Sequence, residues 1–200
     1  MKTLAPFYPV VDSAEWMERL ARNGAGFIQL RMKDRSEGEI RAAIVAARAA
    51  CDRHGAVLVI NDFWRIAIDE KAEWLHLGQE DLDEADLPAI RRAGLRFGIS
   101  THDEAELARA LDLAPDYIAL GPIFPTIVKA MRFAPQGLAP IRAWKRRIGD
   151  IPLVAIGGIT LETASACLDA GADCVAVVSD ILRHQDPEAR CRAWLATTAR

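Results

Sequence analysis

Residues 55–62 read GAVLVIND, and they hold in one line the unit from which the chain is built. Gly55 is a helix stop, because glycine enters the left-handed conformation that ends a helix without a Cβ penalty. Val57–Ile60 is a short apolar run, unbroken by charge, of the kind that suits a parallel strand covered by helices. Asn61-Asp62 then places polar groups where that strand stops. Outward from this stretch the same punctuation recurs. Gly24-Ala25 precedes a strand at Phe27–Arg31, Gly94-Leu95 one at Arg96–Ser100, and Gly171-Ala172 one at Cys174–Val178. Further apolar runs at Phe7–Val11, Trp74–Leu77, Tyr117–Leu120 and Leu153–Ile156 bring the predicted strands to eight.

Helical segments fill the intervals. Asp12 and Glu15, Ser36 and Glu39, and Thr101 and Glu104 have capping-box spacing, and Asp186 before Pro187 starts the last helix. Strands alternating with helices leave an open doubly wound sheet or a closed barrel, and eight units match the barrel. The expectation is an α/β fold, one small (β/α)₈ TIM barrel with short loops spanning residues 1–200 as a single catalytic domain. One connection breaks the economy: GPIFPTIVKAMRFAPQGL, after Leu120, has three prolines and no clear period. A long loop in a minimal barrel is more often functional than decorative.

The formal net charge of −3 argues against a nucleic-acid partner, which needs a basic surface, but not against a small anion held by a few local cations. Cys51, Cys167, Cys174 and Cys191 form no CxxC pair, so reduced, mostly buried thiols are expected. The N-terminal segment does not read as a signal peptide and no apolar run approaches membrane-spanning length, which makes a cytoplasmic protein with no membrane partner the expectation.

A barrel keeps its active face at the C-terminal strand ends. There the second strand delivers QLRMKD, with Gln29 and Arg31 on one face and Lys33 beyond. The third delivers Asn61-Asp62, the fourth GQED with Gln79 and Asp81, the fifth Ser100 and His102. The long loop brings Thr126 and Lys129, the seventh strand Gly157-Gly158, the eighth Val178-Ser179. Arg31, Lys33 and Lys129 can bind phosphate oxygens, although each could be a solvated cation. Asp62 and Asp81 could share Mg²⁺, with helix capping as the competing role. Gly157, Gly158, Val178 and Ser179 sit where barrels often cradle phosphate on backbone N–H groups. His76, inside a strand, reads as a satisfied interior histidine. A turn role competes with catalysis for His102, and His54 and His184 have no recognisable partner. The tryptophans fall mostly in helical segments and read as packing.

The motifs QLRMKD, IND, HLGQEDL, GISTH, LGPIFPT with its following lysine, AIGGIT and AVVSDI occur in the order seen in the thiamine-phosphate synthase family. The chain resembles that family from FYPVVD to AVVSDI. The resemblance implies an alkyl-transferring enzyme that joins a pyrimidine diphosphate to a thiazole phosphate, giving thiamine phosphate and pyrophosphate. It implies that Gln29, Leu30, Arg31, Met32, Lys33, Asn61 and Lys129 bind the diphosphate substrate, and that Ser100 touches its pyrimidine. It assigns Mg²⁺ to Asp62 and Asp81, and the thiazole phosphate to Thr126, Ile127, Val128, Gly157, Gly158, Val178 and Ser179. Arg31, Lys33, Lys129 and Ser100 would carry the catalysis, and a homo-oligomer is left open.

Two departures stand out. PTIVK has Val128 where the family often has threonine, and Phe63-Trp64 separate Asn61-Asp62 from Arg65. A thiazole tautomerase-like paralogue is the nearest alternative, but the histidine that activity uses corresponds to Pro122 here. A Schiff-base aldolase would want a lysine within a strand, and Lys33 and Lys129 lie beyond theirs. A non-catalytic phosphate-binding barrel would tolerate loss of Asp62 or Asp81.

Overall fold

The computed structural model describes residues 4–126 and 133–199. Eight parallel strands close into a barrel in chain order: β1 (Phe7–Val11), β2 (Phe27–Leu30), β3 (Val57–Asn61), β4 (Trp74–Leu77), β5 (Arg96–Thr101), β6 (Tyr117–Leu120), β7 (Leu153–Ile156) and β8 (Cys174–Val177). Closure is direct, with Tyr8 of β1 in register with Ala176 of β8. The strand ends shift by a residue or so from expectation. Arg31 lies past β2, yet its N–H still donates to the Val11 carbonyl at 2.7 Å. Asn61 and Thr101 continue their strands, and Val178 leaves β8.

The period-two alternation of a strand divides the buried side chains into two layers. The larger layer packs between strands and helices, and holds Phe7, Ile28, Leu58, Leu75, Ile118 and Val175. The smaller one fills the barrel with Tyr8, Phe27, Val59, Trp74, Tyr117, Val154 and Ala176. Its rings meet edge to face, Tyr8 and Phe27 at 5.0 Å and Phe27 and Trp74 at 5.2 Å between centroids, a favoured aromatic geometry. Gly98 makes room for one of them: a Cβ there would stand 2.0 Å from the Tyr117 ring. The four cysteines are buried, as expected.

Two predicted caps are corrected. Asp12 does not start the first helix, α1 (Ala14–Arg22); Ser13 does, accepting from the Trp16 N–H at 3.3 Å. Thr101 does not start the helix at Glu104–Asp112; Asp103 does, accepting from the Glu106 N–H at 2.9 Å. Thr101 pairs with Leu120 in the ladder and its hydroxyl donates to the Ala119 carbonyl, so the sheet claims it first. The Ser36–Glu39 capping box forms as read, as does the Asp186-Pro187 start of the last helix, α2 (Pro187–Thr198). Trp74 is the tryptophan that lies in a strand. His54 bonds Glu18 at 2.6 Å and His184 bonds the Asp186 carbonyl at 2.9 Å, so both have partners that the sequence reading did not find.

Candidate active site

Three groups of side chains meet at the C-terminal rim. The first surrounds a pocket of about 260 Å³ lined by Asp12, Arg31, Met32, Lys33 and Arg35. Beside it stand the two aspartates. Lys33 forms an ion pair with the Asp62 carboxylate. Asp62 sits at φ +66°, an uncommon conformation for a non-glycine residue. It does not cap the following helix, whose N-terminal residue, Phe63, makes no side-chain cap bond. Asp81 accepts from the Gly78 N–H at 2.9 Å. Burial pushes the Asp81 carboxyl up, and the neighbouring Asp62 charge and a hydrogen bond between the two carboxyls push it further. The two carboxyls therefore lie close together, and a cation shared between them would relieve the repulsion that raises Asp81. This donor set fits Mg²⁺, which takes oxygen ligands from one or two carboxylates and leaves other positions to substrate phosphates and water. Among the described residues no group of three or more acidic, histidine or cysteine side chains could hold a metal, so such an ion would need those outside oxygens.

The second group lies inside the rim. Gln29, Asn61 and His76 are 4%, 5% and 8% exposed. Gln29 donates to the Tyr8 hydroxyl at 2.6 Å. His76 bonds the Tyr117 hydroxyl at 2.7 Å through Nδ1 and the Ser100 hydroxyl at 2.8 Å through Nε2, which makes it the satisfied interior histidine expected. Burial lowers its pKa to about 4, so the ring is neutral at pH 7. The Gln79 side-chain amide donates to the Ser100 carbonyl at 2.8 Å, and its Oε1 is buried with no partner among the described residues.

The third group is a cradle of about 400 Å³ further round the rim, lined by Pro125, Thr126, Gly158, Ile159, Thr160, Ser179, Asp180 and Arg183. Thr126, Gly158 and Ser179, distant in sequence, thus come together as expected. Gly157 and Val178 flank the cradle without lining it. The cradle's floor is a crossing of two loops: the Ile123 and Phe124 N–H groups donate to the Ile156 and Gly157 carbonyls at 3.0 and 2.9 Å. A Cβ on Gly158, at φ +66°, would lie 2.4 Å from the Pro125 carbonyl oxygen. Asp180 would repel an anion here, but Arg190 holds it with two bonds at 2.8 and 2.9 Å and the Trp194 N–H donates to it at 2.7 Å. Ile127, Val128 and Lys129 lie outside the described residues. The return leg of their loop is pinned, with Phe133 stacked on His102 at 4.7 Å and the Gln136 amide donating to the His102 and Gly121 carbonyls at 3.0 and 2.8 Å. His102, also bonded to Glu106 at 2.7 Å, has that local role.

Residues 7–181 match the family model for thiamine monophosphate synthase. The chain belongs to that family. A thiamine-phosphate synthase of Rhizobium etli is 59% identical over 98% of this chain and 96% of its own. One from Cronobacter sakazakii is 54% identical over 90% of this chain and 85% of its own. The solved structure of a thiamine phosphate pyrophosphorylase from Pyrococcus furiosus superposes with a TM-score of 0.86 at 26% identity, covering 96% of this chain and 94% of that one. Family membership bears out the expected barrel and the expected enzyme class, a thiamine-phosphate synthase of thiamine biosynthesis. Among the described residues no helix is long and apolar enough to cross a membrane.

Sequence reasoning missed Asp12 and Arg35 at the first pocket, Arg183 at the cradle, and Tyr8 and Tyr117 beneath the rim. Asp12 was misassigned as a cap. Arg35 and Arg183 lie in polar stretches with no pattern to mark them. The tyrosines sit inside apolar strands, where their rings explain their presence and their hydroxyls draw no notice.

Proposed function

We propose that the barrel joins a hydroxymethylpyrimidine diphosphate to a hydroxyethylthiazole phosphate at this rim, releasing pyrophosphate. The observation that carries the reading is the pair of unlike anion sites on one rim, one cationic with paired carboxylates and one a tight backbone cradle. Two phosphorylated substrates need two such sites.

In this reading Arg31 and Lys33, with Lys129 from the long loop, bind the diphosphate, and Leu30, Met32 and Asn61 line its place. Asp62 and Asp81 would hold Mg²⁺, which when bound supplies positive charge to the leaving pyrophosphate. Gln29 and Ser100 orient the pyrimidine. Thr126, Ile127, Val128, Gly157, Gly158, Val178 and Ser179 form the thiazole-phosphate side, and Arg183 adds a cation there. The bond between the pyrimidine methylene carbon and the diphosphate oxygen breaks, and its electron pair leaves with pyrophosphate. The thiazole nitrogen lone pair forms the new C–N bond, so no side chain has to remove a proton from the nucleophile. Arg31 and Lys33 stabilise the charge that grows on the leaving group. The remaining work is alignment and exclusion of water, which would otherwise capture the pyrimidine cation.

The test is thiamine phosphate formation from the two purified substrates, with and without Mg²⁺. Metal-dependent product is expected. No product at saturating substrates and metal would overturn the assignment.

A further inference from the structure

Five side chains from five strands form one hydrogen-bonded chain through the barrel interior. It runs from Gln29 on β2 to Tyr8 on β1 at 2.6 Å, to Tyr117 on β6 at 2.9 Å, to His76 on β4 at 2.7 Å, and to Ser100 on β5 at 2.8 Å. Its two ends are the groups that face the pyrimidine in the reading above, on which this inference rests. The middle three touch no substrate in that reading.

Counting protons gives the chain a direction. The Gln29 amide N–H₂ already donates to the Tyr8 oxygen. Tyr8 has one hydroxyl proton, and the remaining partner of that hydroxyl is Tyr117. Tyr117 therefore accepts from Tyr8 and directs its own proton to His76 Nδ1. His76 is buried, with a hydroxyl on each nitrogen and no carboxylate bonded to it, so it carries a single ring proton. That proton must sit on Nε2, where it is donated to the Ser100 oxygen. Among the described residues Ser100 Oγ and Gln29 Oε1 have no other partner: the serine is left with a proton to donate, and the glutamine with its carbonyl oxygen to accept beside the second N–H of its amide.

We propose that Tyr8, Tyr117 and His76 are positioning residues that fix this polarity and thereby select the pyrimidine. The pattern they impose, one acceptor at Gln29 and one donor at Ser100, suits a ring edge with an amino N–H next to a bare ring nitrogen. A 4-oxo pyrimidine offers the reverse, a carbonyl oxygen and a ring N–H, and meets a mismatch at both ends. A mismatch of buried polar groups discriminates far more strongly than a change of shape.

The first test uses the unliganded wild-type protein with ¹⁵N-labelled histidine. Long-range ¹H–¹⁵N NMR should show His76 as the Nε2–H tautomer; the Nδ1–H tautomer would reverse the chain and overturn the proposal. The second measures by calorimetry the Kd of the 4-amino and 4-oxo pyrimidine diphosphates for the wild type and for Tyr117→Phe, which keeps the ring and removes the link. The ratio of the two constants should fall at least about tenfold in the variant, with thiazole-phosphate affinity within about twofold of wild type. An unchanged ratio would overturn the proposal. Neither readout needs turnover, so an absence of product in the synthase assay would sink the functional reading separately. A variant that fails to fold leaves the tautomer measurement decisive.

Discussion

The pocket at Arg31 and Lys33 and the cradle at Gly158 and Ser179 share a rim and differ in what faces the ligand. The first is made of long charged side chains, with Lys33 paired to Asp62 and the Asp62 charge helping to raise Asp81. The second is shaped by main chain, two loops laid so closely that glycine is required between them. Phosphate can be bound either way, by mobile charge or by fixed N–H dipoles. The charged pocket can stabilise a charge that grows during reaction. The cradle is suited to hold a phosphate whose charge does not change. The division of material thus follows the division of labour in the proposed reaction, in which one phosphate group departs and the other is a handle.

The largest effect should come from the charged side. Asp62→Ala removes a proposed Mg²⁺ ligand and also frees Lys33 from its partner. We expect kcat to fall on the order of 10²–10³-fold, a loss of about 3–4 kcal/mol of transition-state stabilisation. Mg²⁺ titration of the variant, with its fold checked by circular dichroism, measures this. A folded variant within about threefold of wild type would place the metal elsewhere.

The cradle should break differently. Gly158→Ala puts a methyl group into the Pro125 carbonyl and keeps a strained positive φ. Crowding and strain of this kind cost roughly 1–3 kcal/mol. The loops should move apart, raising KM for the thiazole phosphate on the order of tenfold while KM for the pyrimidine diphosphate stays near wild type. A rise in both would mean that the two sites are not separate.

The same contrast explains what could be read before the fold was known. Arg31, Lys33, Asp62 and Asp81 announce themselves by residue type once they fall at strand ends. Gly158 was legible only because a glycine pair at the end of the seventh strand has a known use. The Asp12 and Thr101 caps failed because another cap-capable residue stands one or two positions on, Ser13 and Asp103, and only the folded backbone decides between them. Tyr8 and Tyr117 are 109 positions apart, and their 2.9 Å contact exists only when the barrel closes. No local pattern carries a hydrogen bond of that kind. Charge and punctuation are local signals, whereas the interior polar chain is a property of closure.

Arg183 supplies the smallest and sharpest test of the comparison, because it is a charged side chain on the backbone side. It is exposed at the edge of the cradle, with Asp180 next to it already held by Arg190. A solvent-exposed cation adds little to a bound anion, and what it adds is screened by salt. Arg183→Gln should therefore raise KM for the thiazole phosphate only about threefold to tenfold and leave kcat nearly unchanged. The difference should shrink as ionic strength rises. Steady-state kinetics at low and high salt would measure it. A loss of kcat instead would mean that this arginine reaches the leaving group, and the cradle could no longer be described as a passive handle for an unchanging charge.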